Sequence, residues 1–462
     1  MPHEAPLKRC PTYDRRYNRP PLRELRPDRE PVPTTGVAAA AGGALLIIAA
    51  AFVIYRAAIL SYLFNDDFNW FADAHGFAFA NLVHLGRYDH FYRPVIEIYF
   101  FVGQRLFGCS ALAFHLVSVG IHLVNTLILL LFARELTGSR RFAYLSALFF
   151  VTQPGYYEAV SWVAAITDLL PGLWYLLTLW LWVRFLQRGH IAWYAGALAA
   201  FTACLLTHES SATLLPMLVA LDVTVRAGQG GRIDVAWIRD RFVVYLPFAA
   251  LLAASLTITY IVNRRSYLIR EGHYQLGWHV VPHMLQFVLS LYIGPRSITS
   301  YVLIATVVAL LLWRGTPRVR FLVVMLFATL APSSLFTWGN VSRYLYVPAA
   351  SFALLLAEGV TALEAAAATR MTRRHACLLA TAVAAALAIR FSVYAEKSAR
   401  SFRELTLPYE RFVAAVQRAN PTGSAAEPVV LRPDDVENIP VAFYGVAAGA
   451  AFCGPPLRVV VQ

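Results

Sequence analysis

The sequence predicts an all-α polytopic membrane protein, a bundle of about eleven transmembrane helices with a small C-terminal α/β appendage. Three observations predict it. Of the 462 residues, 58% are apolar and only 15% are charged, where a soluble domain carries about 25% charged residues. The apolar residues fall in long runs at 37–60, 108–133, 242–262, 297–313 and 375–391, and a helix needs about 20 such residues to cross the hydrocarbon core. Arginines sit in short loops between the runs, which is the pattern of membrane topology. The formal net charge of +13 therefore belongs to loops that meet anionic lipid head groups. It forms no basic face, and nucleic acid is excluded as a partner.

The elements follow in order. Residues 1–36 are polar and rich in proline and arginine. They read as a disordered cytoplasmic tail, too long for the n-region of a signal peptide, and the run after them reads as a signal anchor. The transmembrane domain covers 37–391. Its spans are predicted at 37–60, 108–133, 142–153, 160–183, 191–207, 211–223, 242–262, 297–313, 321–336, 345–365 and 375–391. With the tail inside, every cytoplasmic loop holds at least two arginines, among them Arg140 and Arg141, Arg184 and Arg188, Arg318 and Arg320. The third and sixth spans are short and are expected to tilt or to re-enter. Within the first external loop (61–107), residues 94–107 are apolar but too short to cross, as are 283–294, and both read as interfacial helices. Residues 392–462 form a small extracytoplasmic appendage. It is expected to hold an amphipathic helix at 396–418 and short strands at Pro428–Leu431 and Leu457–Val461.

Placed on this topology, the unusual polar residues gather at one face. Asp66 and Asp67 lie in N-D-D-F past the first span, and Arg93 ends the same loop in Y-R-P-V. Glu158 follows the third span, and Asp168 lies deeper in the fourth. His208 and Glu209 sit at the fifth exit, Arg270 in the loop after the seventh span, and Arg343 and Tyr344 in S-R-Y-L-Y-V-P past the ninth. Each has an ordinary structural role open to it: a helix cap for Asp66, Asp67 and Glu158, an ion pair for Asp168, a head-group contact for Arg343. What they share is the face, and ionisable groups at membrane depth usually have partners or a task. Carboxylates beside arginines suit transfer of a sugar from a lipid phosphate. A carboxylate takes the proton of the acceptor hydroxyl, and guanidinium groups stabilise the departing phosphate. His115 and His122 stand seven apart on one helical face, where packing accounts for them. No metal-site spacing is found, which leaves metal dependence open. The five cysteines (Cys10, Cys109, Cys204, Cys377, Cys453) show no pairing pattern, so neither a structural disulfide nor a zinc site is expected.

These stretches resemble the GT-C superfamily of membrane glycosyltransferases, in particular its protein O-mannosyltransferase-like branch. The resemblance rests on N-D-D-F (65–68), Y-R-P-V (92–95), the run at 106–125, Q-P-G-Y-Y-E-A-V-S-W-V-A-A-I-T-D-L-L (153–170), L-L-T-H-E-S-S-A-T-L-L-P (205–216) and S-R-Y-L-Y-V-P (342–348). It implies a polyprenyl- or dolichyl-phosphate-linked sugar donor and a catalytic base at Asp66 or Asp67. It also implies a second acidic position at Glu158 and a phosphate contact at Arg343. Related sequences often carry His-Pro where this chain has Gln153-Pro154, and Lys-Glu where it has His208-Glu209. Those two departures leave the donor head group open.

The resulting expectation is an integral membrane glycosyltransferase, in a bacterial inner or plasma membrane, with its site on the non-cytoplasmic side. The sugar would pass with inversion to a hydroxyl of a glycan, lipid or protein acceptor. Asp66 or Asp67 would act as base, with Asp66 preferred. Arg93, Glu158, Asp168, His208, Glu209, Arg270, Arg343 and Tyr344 would bind substrate. The rival readings are a transporter or flippase for lipid-linked sugars, which inverted repeats and broken helices at the midplane would favour, and a non-catalytic subunit of the same fold.

Overall fold

The computed structural model describes residues 35–88, 91–264, 266–338 and 341–462, with side chains from residue 42 onward. The basic tail expected at 1–36 lies almost wholly outside the described residues. The helices are, in chain order, α1 (Thr35–Ile59), α2 (Asp66–His75), α3 (Pro94–Phe107), α4 (Ala111–Thr137), α5 (Arg140–Thr152), α6 (Tyr157–Ser161), α7 (Ile166–Arg188) and α8 (Ile191–Leu205). There follow α9 (Leu214–Gly228), α10 (Val235–Asn263), α11 (Tyr267–Arg270), α12 (Val280–Tyr292), α13 (Ile298–Arg314), α14 (Pro317–Ser334), α15 (Tyr346–Ala368) and α16 (Arg373–Ala419). The chain closes with β1 (Val429–Leu431), α17 (Tyr444–Ala450) and β2 (Val459–Val461).

Eleven of these helices answer the eleven expected spans: α1, α4, α5, α7, α8, α9, α10, α13, α14, α15 and α16. Seven are long and apolar enough to cross a membrane on their own. The third span is the shortest. At 13 residues, α5 is about 20 Å long, well under the thickness of the hydrocarbon core. It stops at Gln153, where Pro154 opens a 3-10 turn and the one-turn α6 follows. The proline has no amide hydrogen to continue the ladder. This broken end of the third span is what carries Glu158.

The reversals are written locally. Between α4 and α5, Gly138 takes φ 72° as the C-cap of one helix. Ser139 then accepts the Phe142 amide as the N-cap of the next. At this end of the bundle the loop arginines are paired. Arg184 lies 3.3 Å from Glu135, Arg141 2.9 Å from Glu364 and Arg241 3.1 Å from Asp222, and Arg318 pairs with Glu358. The acidic cluster described below lies at the opposite end.

Two features depart from expectation. The eleventh span and the amphipathic helix at 396–418 are one uninterrupted α16 of 47 residues, about 70 Å long. Thr372 caps its start by accepting the His375 amide, and Pro408 lies inside it without ending it. Its distal half leaves the bundle and packs beside β1. The second departure is a disulfide between Cys109, at the α3–α4 junction, and Cys453, just beyond α17. No spacing motif announces a bond between residues 344 apart; tertiary packing alone brings them together. Cys204 and Cys377 are free, and Cys10 lies outside the described residues.

In the appendage β1 pairs with β2 in parallel, Val429 opposite Val459 and Leu431 opposite Val461. A parallel pair needs a crossover, and the segment carrying α17 supplies it. There α17 packs against α2, so the appendage rests on the helix that begins with the aspartate pair.

Candidate functional site

Asp66 and Asp67 open α2, where carboxylates favour the positive end of the helix dipole. Their surroundings differ sharply. Asp67 is fully buried. Its Oδ2 accepts the Phe64 amide at 2.7 Å and its Oδ1 accepts the Ala164 amide at 2.6 Å. Burial pushes its carboxyl well up, and the two amide bonds oppose that push. Asp66, one residue earlier, is exposed. Partial burial raises its pKa above the usual carboxylate value, while the charge of Arg343 and a hydrogen bond from Asn69 pull it down. The residue before the pair, Asn65, holds φ 44° and ψ −111°, a backbone conformation that an L residue adopts only under constraint.

The broken third span and the loop before α15 are joined beside this turn. The Glu158 amide donates to Ser342 Oγ at 3.4 Å, and the Arg343 amide donates to Glu158 Oε2 at 3.3 Å. Arg343 is thereby set on a 3-10 turn with its Nε 3.6 Å from Asp168 Oδ2 and its Nη1 4.0 Å from Glu158 Oε2. Its guanidinium lies 4.9 Å from the centre of the Trp162 ring and 5.0 Å from that of Tyr344, distances that suit cation–π attraction. Trp162 in turn donates its indole N–H to the Phe64 carbonyl at 3.0 Å. The aspartate turn, the Glu158 turn and Arg343 thus form one assembly.

A second arginine stands opposite. Pro94 starts α3 at its first position, which leaves Arg93 as the N-cap. Arg93 Nη2 lies 2.8 Å from Glu209 Oε2 and 3.0 Å from His208 Nε2, and its Nε is 3.2 Å from the same carboxylate oxygen. An arginine only donates, so Arg93 offers its N–H to Nε2 of His208, while on the other side of the ring the Ser210 amide donates to Nδ1 at 3.1 Å and the Ser210 hydroxyl lies 2.8 Å from it. Burial, then the neighbouring Arg93, drives the His208 pKa down to about 3. Both guanidinium charges act on Asp168 and on His208, so the two halves share one electrostatic field.

A strap covers this end. The Gln275 amide donates to the Leu335 carbonyl at 3.1 Å, and the Thr337 amide donates to the His273 carbonyl at 2.9 Å. Phe336 stacks on Tyr344 with ring centres 5.6 Å apart. Burial and the negative charge of Glu209 push the Tyr274 hydroxyl up to about 12.

The structure therefore brings together Asp66, Asp67, Arg93, Glu158, Asp168, His208, Glu209, Arg343 and Tyr344. Arg270 is not brought to them. It ends the four-residue α11 with an exposed side chain and, among the described residues, makes no ion pair. His115 and His122 face the core of the bundle, where His122 Nδ1 lies 2.9 Å from the Tyr346 hydroxyl. Among the described residues no three His, Cys, Asp or Glu side chains form a group that could hold a metal ion. Trp162 and Tyr274 escaped the sequence reading of the site. Trp162 sits inside the quoted 153–170 motif, but a lone tryptophan in an apolar stretch signals packing as readily as a cation platform.

A family model described as dolichyl-phosphate-mannose-protein mannosyltransferase matches residues 94–258. That stretch holds Glu158, Asp168, His208 and Glu209, while Asp66 and Arg343 lie outside it. Among curated proteins, protein O-mannosyl-transferase TMTC2 of mouse and of human are each 27% identical over 149 residues, which is 31% of this chain. The match spans 18% of the length of those relatives. Among solved structures, ArnT from Cupriavidus metallidurans bound to undecaprenyl phosphate superposes with a TM-score of 0.52 at 13% identity, covering 93% of this chain and 87% of that one. The chain is an integral membrane protein with the fold seen in ArnT. In sequence it resembles the O-mannosyltransferase-like branch of the GT-C superfamily.

Proposed function

We propose that this chain is a GT-C-type membrane glycosyltransferase, taking a sugar from a polyprenyl-phosphate-linked donor and giving it to an acceptor hydroxyl on the non-cytoplasmic side. The observation that carries the reading is the division of labour between the two aspartates. Asp67 spends both carboxylate oxygens on backbone amides, while Asp66 stays open to solvent within the field of Arg343. Asp66 is then the base and Asp67 a brace.

The step follows from the placement. The acceptor oxygen attacks the anomeric carbon, its proton passes to the Asp66 carboxylate, and the bond from that carbon to the phosphate oxygen breaks. The lipid phosphate leaves with the extra negative charge. Arg343 and Arg93 are the cations placed to receive that charge, with His208 and Tyr344 as neutral neighbours. Asp168 and Glu209 hold the two guanidinium groups in position, and Glu158 orients the sugar or the acceptor. Attack opposite the departing phosphate inverts the anomeric carbon. The undecaprenyl phosphate held by ArnT and the mannosyltransferase names of the curated relatives support a polyprenyl phosphate and a hexose such as mannose. Arg270, away from the cluster, is left without a part at the reacting atoms.

Two features support the outward face. The paired loop arginines collect at the other end of the bundle, as the positive-inside rule expects of the cytoplasmic side. The Cys109–Cys453 bond sits at the end of the aspartates, and disulfides persist in oxidising compartments. The test is sugar transfer by the full chain in lipid vesicles with polyprenyl-phosphate-mannose and a Ser/Thr peptide. Asp66→Asn is expected to lose at least about 100-fold in rate, the usual reach of general-base catalysis. Transfer at the wild-type rate by Asp66→Asn would refute the assignment.

A further inference from the structure

The aspartate turn is held on two sides, and only one of them belongs to the transmembrane bundle. On the bundle side Asp67 grips the Ala164 amide. On the other side stands the distal half of α16, with Tyr409 fully in the interior. The Tyr409 hydroxyl donates to Asn65 Oδ1. Its ring meets Phe64 edge-on at 5.5 Å and stacks on Phe68 at 5.3 Å. One turn earlier on the same helix, Thr406 Oγ1 accepts the Tyr62 amide at 3.1 Å, and Phe402 closes on Phe64 at 5.5 Å.

The Tyr409 contacts fall two residues before Asp66, one before it and two after it. Asn65 is also the residue held at φ 44°. Left to itself, an asparagine there would relax toward negative φ and swing the next residue, Asp66, away from its present direction. The hydroxyl bond to the Asn65 side chain opposes that rotation, and the ring pins the segment on either side of it.

We infer that Tyr409 is a positioning residue for Asp66, through the Asn65 bond and the Phe64 and Phe68 ring contacts. It makes the extramembrane half of α16 part of the working site without touching substrate. The inference rests on the reading of Asp66 as base, and the experiment separates the two.

The full chain in lipid nanodiscs is studied as wild type, Tyr409→Phe, Asn65→Ala, the double variant and Asp66→Asn. Two quantities are read: transfer from polyprenyl-phosphate-mannose to a Ser/Thr peptide, and amide hydrogen exchange over residues 62–68. Tyr409→Phe keeps the ring and loses the hydroxyl. It is expected to lower kcat about tenfold, to leave KM for the donor within about twofold, and to speed exchange at residues 65–68 while the melting temperature holds. Asn65→Ala is expected to copy it, and the double variant to be no worse than either single one, because both remove the same bond. Wild-type kcat in Tyr409→Phe, wild-type exchange at residues 65–68, or additive losses in the double variant would each overturn the inference. Full activity in Asp66→Asn would remove the base assignment alone; exchange and the double-variant comparison would still decide for or against Tyr409.

Discussion

The carboxylate of Asp67 reaches across to the backbone amide of Ala164, 2.6 Å away, and joins the loop after the first span to the approach of the fourth. Among the described residues, its neighbour Asp66 makes no such tie to the backbone. Substitution should therefore separate the two by stability as well as by rate. Asp67→Asn places an NH2 group against an amide donor in a buried site, a mismatch that costs about 1–3 kcal/mol. Its melting temperature is expected to fall, and activity with it. Asp66→Asn is expected to melt like wild type and to lose at least about 100-fold in transfer rate. Thermal unfolding in detergent alongside the transfer assay checks both.

The pH dependence of kcat should carry the mark of Arg343. Asp66 must be ionised to accept a proton, so kcat falls as pH drops through its pKa, which partial burial places above the usual carboxylate value. The positive charge of Arg343 favours the carboxylate and holds that pKa down. Arg343→Gln removes the charge, so the acid limb is expected to move to higher pH. A limb that stays in place in Arg343→Gln would show that the titrating base is another group.

His208 gives a stability prediction of opposite origin. Its pKa is depressed from 6.5 to about 3 by burial and by Arg93. The unfolded chain then takes up the proton first, so folded stability is full above about pH 6.5 and is lost as pH falls toward 3. His208→Gln keeps a neutral acceptor for Arg93 without the titration. The drop in melting temperature between pH 7.5 and pH 5 is expected to be smaller in His208→Gln than in wild type. Equal drops would mean that His208 does not contribute to the acid sensitivity.

The disulfide predicts both location and strength. Cys453→Ser is expected to release Cys109 to a membrane-impermeant maleimide added from the non-cytoplasmic side. It should also lower the melting temperature by several degrees. Removing a native bond of this kind costs about 2–5 kcal/mol in small secreted domains, and the smaller figure is expected here because membrane insertion already confines the unfolded chain. Labelling only after the membrane is breached would reverse the assigned orientation.

Much of this was legible because a membrane simplifies the reading. Apolar runs and loop arginines were enough to place eleven helices. The motif residues from Asp66 to Arg343 lie at one end of the bundle, because alternation of the spans dictates which loops share a face. The opaque parts depended on contacts between distant segments. The 47-residue α16 reads as a span and a separate helix because hydropathy changes near residue 391 while backbone geometry does not. Asn65 and Tyr409 are unremarkable in the sequence, and only packing gives the tyrosine a partner 344 residues away. Arg270 looked equivalent to Arg93 and Arg343 by loop position. A four-residue helix instead leaves it exposed, and no periodicity reports where a loop side chain points.

The separation of Cys109 and Cys453 also sets a clock on biogenesis. The first thiol is synthesised 344 residues before its partner, which at ribosomal rates is about 20 to 70 s. Throughout that interval Cys109 waits as a free thiol while ten more helices are threaded into the bilayer. Closure of the bond therefore follows the synthesis of all these helices, and a nascent chain arrested before residue 453 would carry its aspartate turn without the covalent latch.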